Sequence, residues 1–166
     1  MTEDRSAKLR RVTYGFTLRL PASRDRVYRW ATDYRPGDLE LMGLKARRKV
    51  RRVAKDLILL TDIFASDPFS PTPGERTTKV KLVHLYPNRW SWTSTHVAGP
   101  AMYSQFLYEL LPEGRTACRI RYTGVQVESA TSTTGDDSLT SRARTLTRED
   151  SQGWRRFARA MAKDLA

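Results

Sequence analysis

The chain has 166 residues, 39% hydrophobic and 29% charged, with four Trp, seven Tyr and five Phe, a balance that excludes a disordered chain and suits one domain around one core. No stretch approaches the roughly 20 apolar residues of a membrane span, and the first residues form no apolar leader run, so a cytoplasmic location is expected. A formal charge of +12 admits a nucleic acid, an anionic membrane face or an acidic partner, or a compositional habit without a partner.

The first element is a strand over 11–20, in which Val12, Tyr14, Phe16, Leu18 and Leu20 alternate with Arg11, Thr13, Gly15, Thr17 and Arg19. Pro21 stops it. Two short helices are predicted within 23–42: one capped by Ser23, with Asp25 in its first turn and Val27, Trp30 and Ala31 at helical spacing, and one carrying Leu39 and Met42 before Gly43. From 45 to 129 strand follows strand, with turns at Pro87-Asn88, Gly99-Pro100 and Pro112-Glu113-Gly114 and a longer loop from Ser66 to Gly74. After a polar loop over 131–137, Leu139, Ala143, Leu146, Asp150, Gly153, Trp154, Phe157, Met161 and Leu165 recur at steps of three and four, predicting one long helix over 139–165. Gly153 inside it marks either a close packing contact or a bend.

Strands with one apolar face must bury it, and only the last helix is long enough to cover them. The expected fold is therefore α+β: a curved antiparallel sheet of about seven strands, in the order β-α-α-β6-α, wrapped around a long C-terminal helix in the helix-grip manner. In the Leu18-to-Ser23 strand-Pro-Ala-Ser opening, the Val27-Tyr28-Arg29-Trp30 helix ending in Asp33-Tyr34, and the Trp154-to-Leu165 tail, the chain resembles the START-related (SRPBCC-type) superfamily, which includes polyketide cyclase/dehydrases and lipid-transport domains. The resemblance spans nearly the whole chain. It implies an elongated cavity between sheet and helix, used for lipids, sterols, polyketides, aromatic hormones or quinones. The Ser66-to-Gly74 loop and the strongly basic second strand depart from that pattern.

Alternation assigns an inward face to Trp90, Trp92, Ser94 and His96, and another to Val80, Leu82, His84 and Tyr86. Met102, Ser104, Phe106, Tyr108 and Leu110 form a third set, and Ile120 with Tyr122 a fourth, opposite Trp154, Phe157 and Met161. With Leu39 and Met42 of the short helices, these residues compose a mainly aromatic lining that is either a ligand cavity or a filled core. His84 and His96 are the only histidines; converging in a cavity they would suit acid-base chemistry, whereas a metal wants a third ligand. No metal or cofactor motif is present. Asp62, in phase with Ile58, Leu60 and Phe64, and Asp150, on the apolar stripe of the last helix, are buried acids by position, and Arg48 is an interior partner for either. Tyr108 joins His84, His96 and Asp62 as a candidate proton-transfer group. Cys118, the single cysteine, is expected to be a buried, inert thiol.

Ten cations that alternate away from the apolar set, Arg11, Arg19, Arg47, Lys49, Arg51, Lys79, Lys81, Arg89, Arg119 and Arg121, are expected on the outer face. Three functions follow: binding or transport of a hydrophobic molecule, which requires no catalysis; a cyclase, dehydratase or hydrolase working in the same cavity; and contact with nucleic acid or an anionic membrane through the basic face.

Overall fold

A computed structural model describes residues 8–65, 74–130 and 136–166. Its elements run β1 (Leu9–Leu20), α1 (Arg24–Thr32), α2 (Asp38–Leu41), β2 (Ala46–Ala54), β3 (Leu57–Phe64), β4 (Thr77–Tyr86), β5 (Ser91–Ala98), β6 (Gln105–Glu113), β7 (Ala117–Ser129) and α3 (Asp136–Asp164). The seven strands form one antiparallel sheet in the order β1-β7-β6-β5-β4-β3-β2. Consecutive strands from β2 to β7 pair as hairpins, and β1 returns to pair with β7, setting Phe16 opposite Tyr122 and Leu18 opposite Ile120. This is the expected curved α+β arrangement. The predicted loop over 66–73 lies outside the described residues, as does 131–135.

Turn chemistry explains the strand ends. A single 3-10 turn at Pro87–Arg89 leaves Trp90 left-handed (φ 45°) before β5 begins. Strand β6 continues through Pro112, and the reversal falls at Gly114 (φ 73°), a residue or two later than expected. Pro112 is tolerated because it removes only one ladder donor near a strand end.

Helix α1 carries no side-chain cap bond from Ser23. Its anchor lies elsewhere: the Trp30 indole donates to Asp164 Oδ2 at 3.0 Å and its ring packs 4.6 Å from Phe157. Helix α2 ends where Leu44 N–H bonds the Leu39 carbonyl at 2.9 Å across Gly43, whose φ of +82° favours glycine. The 29-residue α3 spans about 43 Å at 1.5 Å per residue and buries Leu146, Trp154, Phe157 and Met161. It is unbroken at Gly153, where a Cβ would lie 3.4 Å from Met42 Cε, so the glycine marks the packing of α3 on Met42 rather than a bend.

On the outer face Arg121 pairs with Glu109 (2.8 Å), and Arg19 and Arg119 both approach Glu113 (3.5 and 3.3 Å). The basic outer face is thus partly neutralised on β1, β6 and β7. The edge strand β2 keeps Arg47, Lys49 and Arg51 exposed, with no ion pair among the described residues. Among those residues no helix is long and apolar enough to cross a membrane.

Candidate functional site

The inner face of the sheet divides into an aromatic half and a charged half. Aligned registers carry Phe16, Tyr122, Tyr108 and Trp92 across β1, β7, β6 and β5 in one row. Trp92 and Tyr108 stack nearly parallel (4.9 Å, 4°), Phe16 stacks on Tyr122 at 4.8 Å, and Tyr108 meets Tyr122 edge-on at 5.2 Å. Trp154 of α3 closes over this row, 5.8 Å from Tyr108 and 6.4 Å from Trp92. In the next row Gly124 makes room for rings on both sides, since a Cβ there would lie 2.9 Å from Phe106 Cδ1 and 3.2 Å from Tyr14 Cε1. The Tyr14 and Tyr122 hydroxyls converge on α3, donating to Asp150 Oδ2 at 2.5 and 2.8 Å. Burial holds the Asp150 carboxyl above its ordinary range in spite of these donors.

The charged half belongs to β2, β3, β4 and β5. Arg48 binds Asp62 with both ends of its fork, Nε to Oδ1 at 2.7 Å and Nη2 to Oδ2 at 2.8 Å, and Lys81 Nζ adds a third contact to Oδ2 at 2.9 Å. Burial alone would raise the Asp62 carboxyl, but Lys81 and Arg48 hold it well below the usual carboxylate range. Lys81 lies opposite His96 in the β4–β5 ladder. Burial, with Lys81 and Lys79 nearby, pushes the His96 imidazole down to about 3, so it is neutral at pH 7. Its Nδ1 is buried and has no hydrogen-bond partner among the described residues.

Tyr34, Lys81, Tyr108 and Asp150 are each walled in by protein, yet each retains water-accessible surface, as much as 20% of the side chain for Lys81. Tyr34 follows α1, and the other three sit on β4, β6 and α3, so that four different parts of the fold contribute one such group each. An open groove of about 800 Å³ lies elsewhere, at the end of the β2–β3 hairpin beside Glu40, Gly43, Arg47 and Arg76, and includes none of these four.

No protein-family model matches the sequence, and no curated protein matches it. Solved structures do. TTHA0849 from Thermus thermophilus aligns with a TM-score of 0.72 at 13% identity, over 93% of this chain and 99% of that one. Zhui aromatase/cyclase from Streptomyces sp. R1128 gives 0.69 at 12% identity, over 96% and 97%. A START superfamily protein from Mycobacterium smegmatis gives 0.66 at 11% identity, over 93% and 99%. The chain has the START-type helix-grip fold.

Within this helix grip, Trp92, His96, Phe106, Tyr108, Tyr122, Trp154, Phe157 and Met161 face the interior as expected, with Leu39 buried and Met42 packed beneath α3. Six residues expected there lie elsewhere. Val80, Leu82, His84 and Tyr86 are on the outer face, because β4 turns Thr77, Lys79, Lys81, Val83 and Leu85 inward, in phase with Asp62 and Phe64 of β3. Trp90 belongs to the turn before β5, where its indole donates to Asp25 at 2.6 Å and Arg24 lies 3.5 Å above its ring. Met102 precedes β6 and is 38% exposed. Conversely, Lys81 and Lys79 leave the basic outer face, Lys79 lying 5.0 Å from the Phe64 ring.

With His84 outside, the two histidines do not converge, and among the described residues no cluster of His, Cys, Asp and Glu is suited to a metal. Cys118 is fully buried, and burial pushes its thiol up to about 11. Sequence reasoning missed Lys81, Tyr34 and Tyr14. For Lys81 a signal was present: Lys79 and Lys81 share the phase of Val83 and Leu85, and an acid as buried as Asp62 calls for cations.

Proposed function

We propose that the chain, acting as a single domain, binds a hydrophobic small molecule of aromatic character inside the helix grip. The reading is carried by the accessible surface that Tyr34, Lys81, Tyr108 and Asp150 retain deep in the protein. The wall is built as ligand sites are, from aromatic faces and a few polar tips. Burying about 200 Å² of apolar ligand surface there would supply about 5 kcal/mol at roughly 25 cal/mol per Å². The likeness to an aromatase/cyclase and to a START protein supports the same reading.

Trp92 and Trp154 pack against the Tyr108 ring, so titration with the neutral apolar dye 1-aminoanthracene is expected to quench tryptophan emission saturably. Native mass spectrometry beside a denatured control is expected to show a co-purifying apolar molecule. An unquenched titration together with repeatedly empty protein would overturn the reading.

One observation favours a second reading, a proton-transfer enzyme working on the bound molecule. Asp150 is a carboxyl that burial holds above its ordinary range beside two tyrosine hydroxyls, the kind of environment in which a carboxyl can exchange a proton with a bound molecule. Asp62, engaged by two cations, and His84, outside the grip, do not fit that role.

A further inference from the structure

The cluster of Arg48, Asp62 and Lys81 does not balance in charge. One carboxylate, Asp62, serves two cations, Arg48 and Lys81, and all three side chains are enclosed, at 0%, 7% and 20% exposure. One positive charge is left over in surroundings where an uncompensated ion is costly. Neighbouring acids do not touch these two cations. Asp38 is taken by Arg35, through the backbone N–H at 2.8 Å and Nε at 3.2 Å, and Asp150 takes its hydrogen bonds from the neutral Tyr14 and Tyr122 hydroxyls instead. Lys79, beside Phe64, has partners of its own.

An independent observation lies across the ladder. His96, 8% exposed, stands opposite Lys81 on the inner face, and its buried Nδ1 has no hydrogen-bond partner among the described residues. A buried polar atom without a partner is costly and calls for one. Lys81 Nζ likewise has three N–H donors, of which Asp62 takes one.

Building on the reading of the interior as a ligand site, we propose that the molecule bound there is a monoanion, an aromatic compound whose ionised carboxylate, phenol or enol oxygen is held between Lys81 Nζ and His96 Nδ1–H. The leftover charge is one, which matches a single ionised oxygen group and neither a neutral molecule nor a phosphate dianion. A neutral imidazole donates through Nδ1–H while Lys81 supplies the charge, and the rings lie toward Trp92 and Tyr108 on the aromatic half. Charge-assisted bonds of this kind are the stronger class.

The test compares 2-naphthoate with 2-naphthamide, nearly equal in shape and differing in charge, by calorimetry at pH 7 on the full chain. The acid is expected to bind at least tenfold more tightly than the amide. Lys81→Met is expected to abolish that preference while leaving amide affinity within about twofold, and Lys81→Arg to retain most of it. Lys81→Met removes a surplus buried charge and so is expected to stay folded, which circular dichroism checks. An acid that binds no better than the amide while 1-aminoanthracene still binds, or a preference that survives Lys81→Met, overturns the inference and leaves the ligand site standing. Failure of all three probes, the dye included, removes the site itself.

Discussion

Replacing Asp62 by Asn tests the charged half of the interior most directly. Asp62 is fully buried and accepts three charge-assisted contacts, at 2.7, 2.8 and 2.9 Å, from Arg48 and Lys81. Asparagine keeps the shape but has one acceptor oxygen, and its amide N–H₂ points donors at donors. Removing one partner of a buried ion pair leaves the others uncompensated, at a cost of about 3–5 kcal/mol. For a chain of 166 residues that corresponds to a fall in Tm of roughly 10 °C. Urea unfolding followed by tryptophan emission measures it, and a loss below about 1 kcal/mol would refute the argument that these charges depend on Asp62. The triple change Asp62→Leu, Arg48→Met, Lys81→Met removes every member of the cluster at similar volume and is expected to recover most of the loss. The acid limb gives a second readout. The folded Asp62 carboxyl lies below its unfolded value, so its contribution is complete above about pH 4 and is lost as pH falls toward the depressed folded value. Asp62→Asn is expected to lack that part of the limb.

His96 acts in a higher window. Its folded value of about 3 lies below the unfolded 6.5 or so. The unfolded chain therefore binds the proton first, and stability is expected to fall as pH drops from about 6.5 to about 3, by on the order of 5 kcal/mol. His96→Gln is expected to flatten the stability curve across that window, and an unchanged slope would show that the imidazole is not buried as described. At Gly153 an alanine methyl would meet the flexible end of Met42 at 3.4 Å and the Met42 carbonyl oxygen at 3.9 Å. Gly153→Ala is expected to stabilise the protein by up to about 1 kcal/mol through helix propensity, whereas destabilisation in thermal melts would place α3 closer to α2 than it is.

The strands were legible where one alternation dominates. Strand β3, with Ile58, Leu60, Asp62 and Phe64 all buried on one phase, reads directly, and so does the need for Arg48 beside its acid. Strand β4 carries two overlapping alternations, Val80 and Leu82 on one phase and Val83 and Leu85 on the other. Which phase turns inward is decided by Asp62 on the neighbouring strand, a long-range fact that no pattern within β4 contains. Met102 was misplaced by extending the alternation of β6 back beyond the strand into the turn before it. The tyrosines on Asp150 come from strands 136 and 28 residues away in the chain, and only the pairing of β1 with β7 beneath α3 brings them to one point of that helix.

Strand β2 closes the sheet with Arg47, Lys49 and Arg51 pointing outward. A second copy approaching edge to edge would have to align these cations with an identical row, at strand spacings where like charges repel and no acid intervenes. The sheet therefore stops at β2 for a reason built into its side chains, and salt, by screening that row, is the condition that loosens the guard against growth from this edge.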